Sequence, residues 1–85
     1  MKRIIDVREK IEFMTGHVKG AINLPLSRFQ DDFGKVTDSF DKDDEIIVYC
    51  RSGNRSGMAE QYFRSMGFTN VKNGINKQHT ELHHS

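Results

Sequence analysis

Ile46-Ile47-Val48-Tyr49-Cys50-Arg51-Ser52-Gly53-Asn54-Arg55-Ser56-Gly57 is the stretch on which the reading turns. Its first four residues are the strongest strand signal in the chain. A continuous β-branched and aromatic run of this kind suits a central parallel strand covered on both faces. A glycine-containing loop follows, then an amphipathic helix with Ala59, Tyr62 or Phe63, and Met66 on its apolar face, closed by Gly67. Cys50 therefore stands at the carboxyl end of a buried strand, just ahead of a helix N-terminus. In open parallel sheets that edge is where ligands bind. A helix N-terminus presents unpaired N–H groups and a partial positive charge, which stabilise an anion. Arg51 and Arg55 add positive charge, and Gly53 lets the loop curl so that several N–H groups converge. Such a setting favours the thiolate, the nucleophilic form of cysteine. The competing reading is a buried, inert thiol; the strand, loop and helix around Cys50 favour the reactive one.

Working outward, residues 4–7 read as a short buried strand, and residues 9–14 as a helical turn stopped near Gly16. Residues 21–24 read as a second strand, ended by Pro25. From Ser27 the pattern turns helical: Phe29 and Phe33 share one face, and Gly34 is expected to stop the helix. Residues 36–40 suggest a further short helix, and residues 41–44 a charged turn. Residues 68–71 read as the last strand. Residues 77–85 read as a polar tail that frays, with His79, His83 and His84 as surface residues and not metal ligands. Strands alternating with helices at this length predict an α/β domain, with a short, mostly parallel central sheet flanked by helices.

Composition bounds the rest. Eighty-five residues make one domain, read here as spanning 1–85. No apolar run is long enough to span a membrane. Thirteen Lys and Arg against twelve Asp and Glu leave a formal charge of +1, which gives no nucleic-acid footprint. A single cysteine excludes an intrachain disulfide and a multi-cysteine metal centre. Asp6 and Arg8 interrupt the apolar start, so it does not read as a signal peptide. The compartment reads as cytoplasmic if Met1 is the native first residue, and as periplasmic if a leader has been removed.

Three ordered segments resemble the single-domain rhodanese (thiosulfate sulfurtransferase) family. Cys50-Arg51-Ser52-Gly53-Asn54-Arg55-Ser56 resembles its active-site loop. Ile5-Asp6-Val7-Arg8, with Glu12-Phe13 after it, resembles its Asp-Val-Arg opening. Gly16-His17-Val18-Lys19-Gly20-Ala21-Ile22-Asn23-Leu24-Pro25 resembles its His-x-x-Gly-Ala-x-Asn-x-Pro segment. Residues 66–71 are similar to the usual turn into the last strand. The likeness covers residues 4 to about 76, and the short length resembles the small, exported phage-shock type. Two features depart from the pattern. By that pattern a strand, and often a helix, is expected before the Asp-Val-Arg opening, and this sequence begins too late for them; a truncated first strand would leave a more exposed sheet edge. The Gly-Gly-x-x-x-Trp ending is partial: Asn73 replaces a glycine, and there is no tryptophan.

The resemblance implies a rhodanese-like fold and a sulfane-sulfur transfer. Cys50 would take sulfur from thiosulfate or a similar donor and pass it from a persulfide to cyanide or a thiol. Backbone N–H groups of Arg51, Ser52, Gly53, Asn54, Arg55 and Ser56 would hold the anion. Arg51 would attract the donor. Arg55 would brace the loop through Asp6 rather than bind anions, and Ser56 would cap the helix. Asp6, Arg8 and His17 would be bracing residues, with His17 fixing backbone and not acting as a base. No cofactor and no metal is called for. Three rivals stay open. One is a sulfur carrier or binding module served by a protein sulfur donor or acceptor. Another is an inactive interaction domain, against which Cys50 with both arginines argues. The last is an oxyanion-processing phosphatase or arsenate reductase, although the four residues between Cys50 and Arg55 make the loop one short.

Overall fold

Glu45–Cys50 (β3) lies between two parallel partners in the computed structural model, which describes residues 1–84. Lys2–Asp6 (β1) pairs on one side, with Ile5 opposite Val48 and Asp6 opposite Tyr49. Val71–Asn76 (β4) pairs on the other. The two-residue strand Ile22–Asn23 (β2) completes the order β2-β1-β3-β4, and every pair is parallel. Side chains of a strand alternate between faces. Ile46, Val48 and Cys50 enter the larger core, while Ile47 and Tyr49 enter a smaller one with Ile4 and Val18. Both faces are covered, so the run carries no polar alternation.

Asn54–Ser65 (α3) follows β3 and buries Ala59 and Phe63, but leaves Met66 exposed just past its end. Phe63 is fully buried between Phe33 and Phe68, with ring centroids 4.8 and 5.2 Å away. Burying a phenylalanine stabilises by about 1.5–3 kcal/mol relative to leaving it in water. After α3 the chain ends its helix as expected: Gly67 has φ +96°, and the Phe68 N–H returns to the Phe63 carbonyl. Lys10–Met14 (α1) forms where the sequence predicts a helical turn, opened by a reciprocal capping box between Glu9 and Glu12.

Three expectations are corrected. Gly34 does not stop its helix: after a 3-10 turn at Leu26–Arg28, α2 runs Phe29–Thr37 and absorbs part of the separate helix expected at 36–40. A mid-helix glycine costs only about 1 kcal/mol, less than the burial of Phe29 and Phe33, which requires the helical path. The last strand begins at Val71 and not at Phe68; Phe68 is a core residue in the preceding loop. Lys72-Asn73-Gly74 looks too polar for a strand, yet an edge strand needs only its backbone partners on β3. Finally, the stretch expected to fray from Lys77 forms a helix, Lys77–His83 (α4), packed on β3 and β4. The Asn76 side chain accepts the His79 N–H at 2.7 Å. Thr80 is fully buried, and its hydroxyl donates to the Gly74 carbonyl at 3.1 Å. Ser85, the end of that stretch, lies outside the described residues.

Candidate active site

Cys50 ends β3 with 1% of its surface exposed. Gly53, at φ +93°, turns the loop into α3, and this left-handed conformation is one that favours glycine. The turn aims N–H groups at the sulfur: Gly53 N–H at 3.1 Å and Ser56 N–H at 3.4 Å. The Ser56 hydroxyl oxygen lies 3.4 Å from Sγ. Burial pushes the thiol pKa up. Hydrogen bonds to the thiolate outweigh it, from the N–H groups of Ser56, Ser52 and Gly53 and from the Ser56 hydroxyl when its proton turns to the sulfur, and the thiol settles at about 7. Convergent N–H groups of this kind stabilise an anion at the point where they meet.

Cys50 lines an open pocket of about 310 Å³ together with Arg8, Arg51, Asn76, Lys77 and Gln78. Arg51 is exposed and, among the described residues, has no ion-pair partner. Ser52 and Asn54 are exposed on the loop and at the start of α3. A larger depression of about 520 Å³ between Lys10, Phe13, Pro25 and Arg28 does not include Cys50.

The loop is braced from the α1 side, but not by the partner expected. Arg55 makes a two-pronged pair with Glu12, at 2.7 and 3.0 Å, and not with Asp6. Arg55 lies about one-third exposed and Glu12 about one-quarter exposed. The hydrogen bond from Arg55 outweighs desolvation and holds the Glu12 carboxyl down at about 2. Asp6 is occupied elsewhere. Fully buried, it receives Arg8 Nε at 2.9 Å, Arg8 Nη2 at 2.6 Å, the Arg8 N–H at 3.0 Å and the Tyr49 hydroxyl at 2.9 Å. Arg8 also donates to the Gly16 carbonyl at 2.7 Å, and Tyr49 accepts the Val18 N–H at 3.0 Å. Burial, with Asp6 beside it, pushes the Tyr49 phenol up to about 12, so it stays a donor. This cluster ties residues 6–18 to β3 from below.

His17 stacks on Phe13 at 3.6 Å, places Nδ1 2.9 Å from the Phe13 carbonyl, and does not line the sulfur pocket. Ser56 does not cap α3 as expected. The N-cap is Gly53 instead, and the buried Ser56 hydroxyl points to Asn73 Oδ1 at 2.7 Å. A side chain two residues inside the helix start faces the sheet here, because the curled loop turns this face of α3 onto β4.

Three site features escape the sequence reading. Glu12 enters it only as part of a motif. Its position, one helical turn past Arg8, is the available signal for an acidic partner of the loop arginine. Asn73 enters only as a missing glycine, yet its amide also donates to the Gly53 carbonyl at 3.1 Å. Asn76, Lys77 and Gln78 fall in or beside the expected tail, and no local pattern marks them as a pocket wall.

Comparison with known proteins places this geometry. Residues 1–77 match the family model described as Rhodanese-like domain. Thiosulfate sulfurtransferase PspE of Escherichia coli (strain K12) is 39% identical over 69 residues, covering 81% of this chain and 64% of the relative. Thiosulfate sulfurtransferase 16, chloroplastic, of Arabidopsis thaliana is 41% identical over 78 residues, covering 82% of this chain and 65% of the relative. The chain thus spans just under two thirds of the length of these curated relatives. A solved structure described as a rhodanese with anions from E. coli superposes with a TM-score of 0.80 at 34% identity, over 93% of this chain and 91% of that one.

Proposed function

This chain belongs to the family of rhodanese-like domains, and on that premise we propose that it carries a sulfane sulfur from thiosulfate or a similar donor to cyanide or a thiol, through a persulfide on Cys50. Family membership and the fold are consistent with sulfurtransferase activity in the general sense. The observation that carries the finer reading is the sulfur cradle. Cys50 Sγ sits under the Gly53 and Ser56 N–H groups, with its thiol held at about 7.

The proposed steps are these. The Cys50 thiolate attacks the outer sulfur of thiosulfate. A new S–S bond forms, the donor S–S bond breaks, and sulfite leaves with the electron pair. The outer sulfur of the persulfide then holds the negative charge, where preorganised N–H groups stabilise it without rearranging. A cyanide or thiolate acceptor attacks that sulfur, and the Cys50 thiolate leaves and is regenerated. Arg51, exposed at the pocket rim, would draw the anionic donor in.

A phosphatase-like reading finds less support. Its loop arginine would have to face the oxyanion, whereas both prongs of Arg55 are turned to Glu12. A sulfur-carrier reading has one supporting observation: a third depression, lined by Gln78, Glu81 and the 81%-exposed Leu82, shares Gln78 with the sulfur pocket and would suit a protein partner.

Intact-protein mass after brief exposure to thiosulfate tests the proposal. The expected result is a gain of one sulfur atom, reversed by cyanide and absent from Cys50→Ser. No adduct with thiosulfate, polysulfide or a persulfide-bearing protein would refute it. Slow turnover with thiosulfate beside fast transfer from a protein persulfide would select the carrier reading.

A further inference from the structure

Asn73 faces the active loop from β4, and its amide has one possible orientation. Oδ1 accepts the Ile75 N–H at 2.9 Å, and Nδ2 donates to the Gly53 carbonyl at 3.1 Å. A flipped amide would set donor against donor and acceptor against acceptor. Oδ1 is therefore the atom that faces Ser56 Oγ at 2.7 Å, and the hydroxyl must donate to it. A serine hydroxyl has a single proton. While that proton rests on Asn73, Ser56 offers Cys50 Sγ, 3.4 Å away, only a lone pair. A lone pair accepts a neutral S–H and opposes a thiolate.

Ionisation reverses the demand. The thiolate keeps the Gly53 and Ser56 N–H groups, which are permanent donors. The Ser56 hydroxyl joins them only by turning away from Asn73, whose Oδ1 still holds the Ile75 N–H. We infer that Asn73 is a positioning residue that sets the charge of Cys50 through Ser56, keeping the hydroxyl proton from the sulfur while the cysteine is neutral and releasing it when the sulfur ionises. The same amide anchors the Gly53 carbonyl, so one side chain both builds the cradle and competes with it. This inference rests on reading Cys50 as the reactive thiol of the proposed transfer.

Other charged groups stand around Cys50 on the elements that pack against it. Arg8 follows β1 and is paired with buried Asp6, Arg51 lies in the loop, and Lys77 opens α4. Arg55 on α3 is paired with Glu12 on α1. None of these pairs includes Asn73, so they stay the same across Asn73 variants.

The test titrates the thiol of the full chain, by the pH dependence of iodoacetamide alkylation and by ultraviolet thiolate absorbance. Asn73→Ala removes the competitor and is expected to lower the midpoint by about 0.5–1 pH unit, the worth of one neutral hydrogen bond. If Asn73 were only a brace, the Gly53 N–H would drift from the sulfur and the midpoint would rise. In a Ser56→Ala background, Asn73→Ala should produce no fall. An unchanged or raised midpoint with Ser56 present, or an equal fall without it, overturns the inference. Asn73→Asp keeps the acceptor oxygen and the bonds to Ser56 and Ile75, and so covers an alanine variant that fails to fold. Its upward shift should be larger with Ser56 present than in the Ser56→Ala background; equal shifts would mean through-space charge alone and would also overturn the inference. The readout is a proton and not a transferred sulfur, so absence of sulfur transfer and absence of this switch are separate results.

Discussion

Gly74→Ala should undock the C-terminal helix from the sheet and take one wall of the sulfur pocket with it. An added Cβ at position 74 would lie 2.2 Å from Thr80 Oγ1, 3.0 Å from Ile47 Cγ2 and 3.4 Å from Thr80 Cβ. None of these atoms has room to move. Thr80 and Ile47 are fully buried, and Thr80 is β-branched, so its rotamer choice is narrow. Relief requires either turning Thr80, which breaks its hydrogen bond to the Gly74 carbonyl, or lifting α4 off the sheet. The lost bond costs about 1 kcal/mol, and overpacking a filled site about 1–3 kcal/mol. The sum, about 2–4 kcal/mol, is a large part of the ~4–13 kcal/mol expected for a domain of this length. At this size it lowers the melting midpoint by on the order of 10–20 °C. Thermal denaturation followed by circular dichroism measures it, beside thiosulfate turnover. Thr80→Ala removes Oγ1, the closest clashing atom, so the double variant Gly74→Ala, Thr80→Ala should recover more than half of the loss relative to Thr80→Ala alone. A Gly74→Ala protein melting within ~2 °C of the parent, or a loss undiminished by Thr80→Ala, would refute the steric argument.

Three further outcomes follow from the site. Cys50 alkylation should rise with pH to a midpoint near 7, since protonated thiol dominates below it and thiolate above; a midpoint above ~8.5 would mean that the loop N–H groups do not act on the sulfur. Glu12, with its folded pKa held at about 2 against an ordinary value of 4.5, stabilises the fold above pH ~4.5, and that contribution is lost as pH falls towards 2. Partial exposure limits the pair to about 1 kcal/mol, so in acid melts Glu12→Gln should show a smaller loss of stability between about pH 5 and 3 than the parent, and an equal loss would count against the brace. Asp6→Asn leaves Arg8 buried without a counter-charge and should cost about 3 kcal/mol or more in urea unfolding; a loss below ~1 kcal/mol would show the cluster to be well hydrated.

Much of the architecture is legible because its causes are local. The run 46–49 announces a doubly covered strand by its lack of polar alternation, and both faces of β3 are buried. Gly53 and Gly67 mark the two ends of α3, where positive φ is needed. Cys50 is read from the same local pattern: a strand end, a curling loop and a helix start. The errors have a common origin. Gly34 signals a helix end by its own propensity, and the burial of Phe29 and Phe33 overrides it. Lys72-Asn73-Gly74 lacks any strand signature, and backbone pairing with β3 supplies what side chains do not.

What the sequence alone determined is the catalytic cysteine candidate, its loop and the α/β frame, since each depends on residues adjacent in the chain. What only the tertiary structure decided is who faces whom across it. Arg55 meets Glu12 and not Asp6, because Asp6 is already filled by Arg8 and Tyr49. Ser56 meets Asn73 and not the helix end, because β4 passes beside the loop. Lys77 and Gln78 become a pocket wall because Thr80 fits their helix against a glycine six positions earlier. A hydrogen-bonding group takes whichever partner the fold brings within about 3 Å, and that distance is set by packing between segments that the sequence lists far apart.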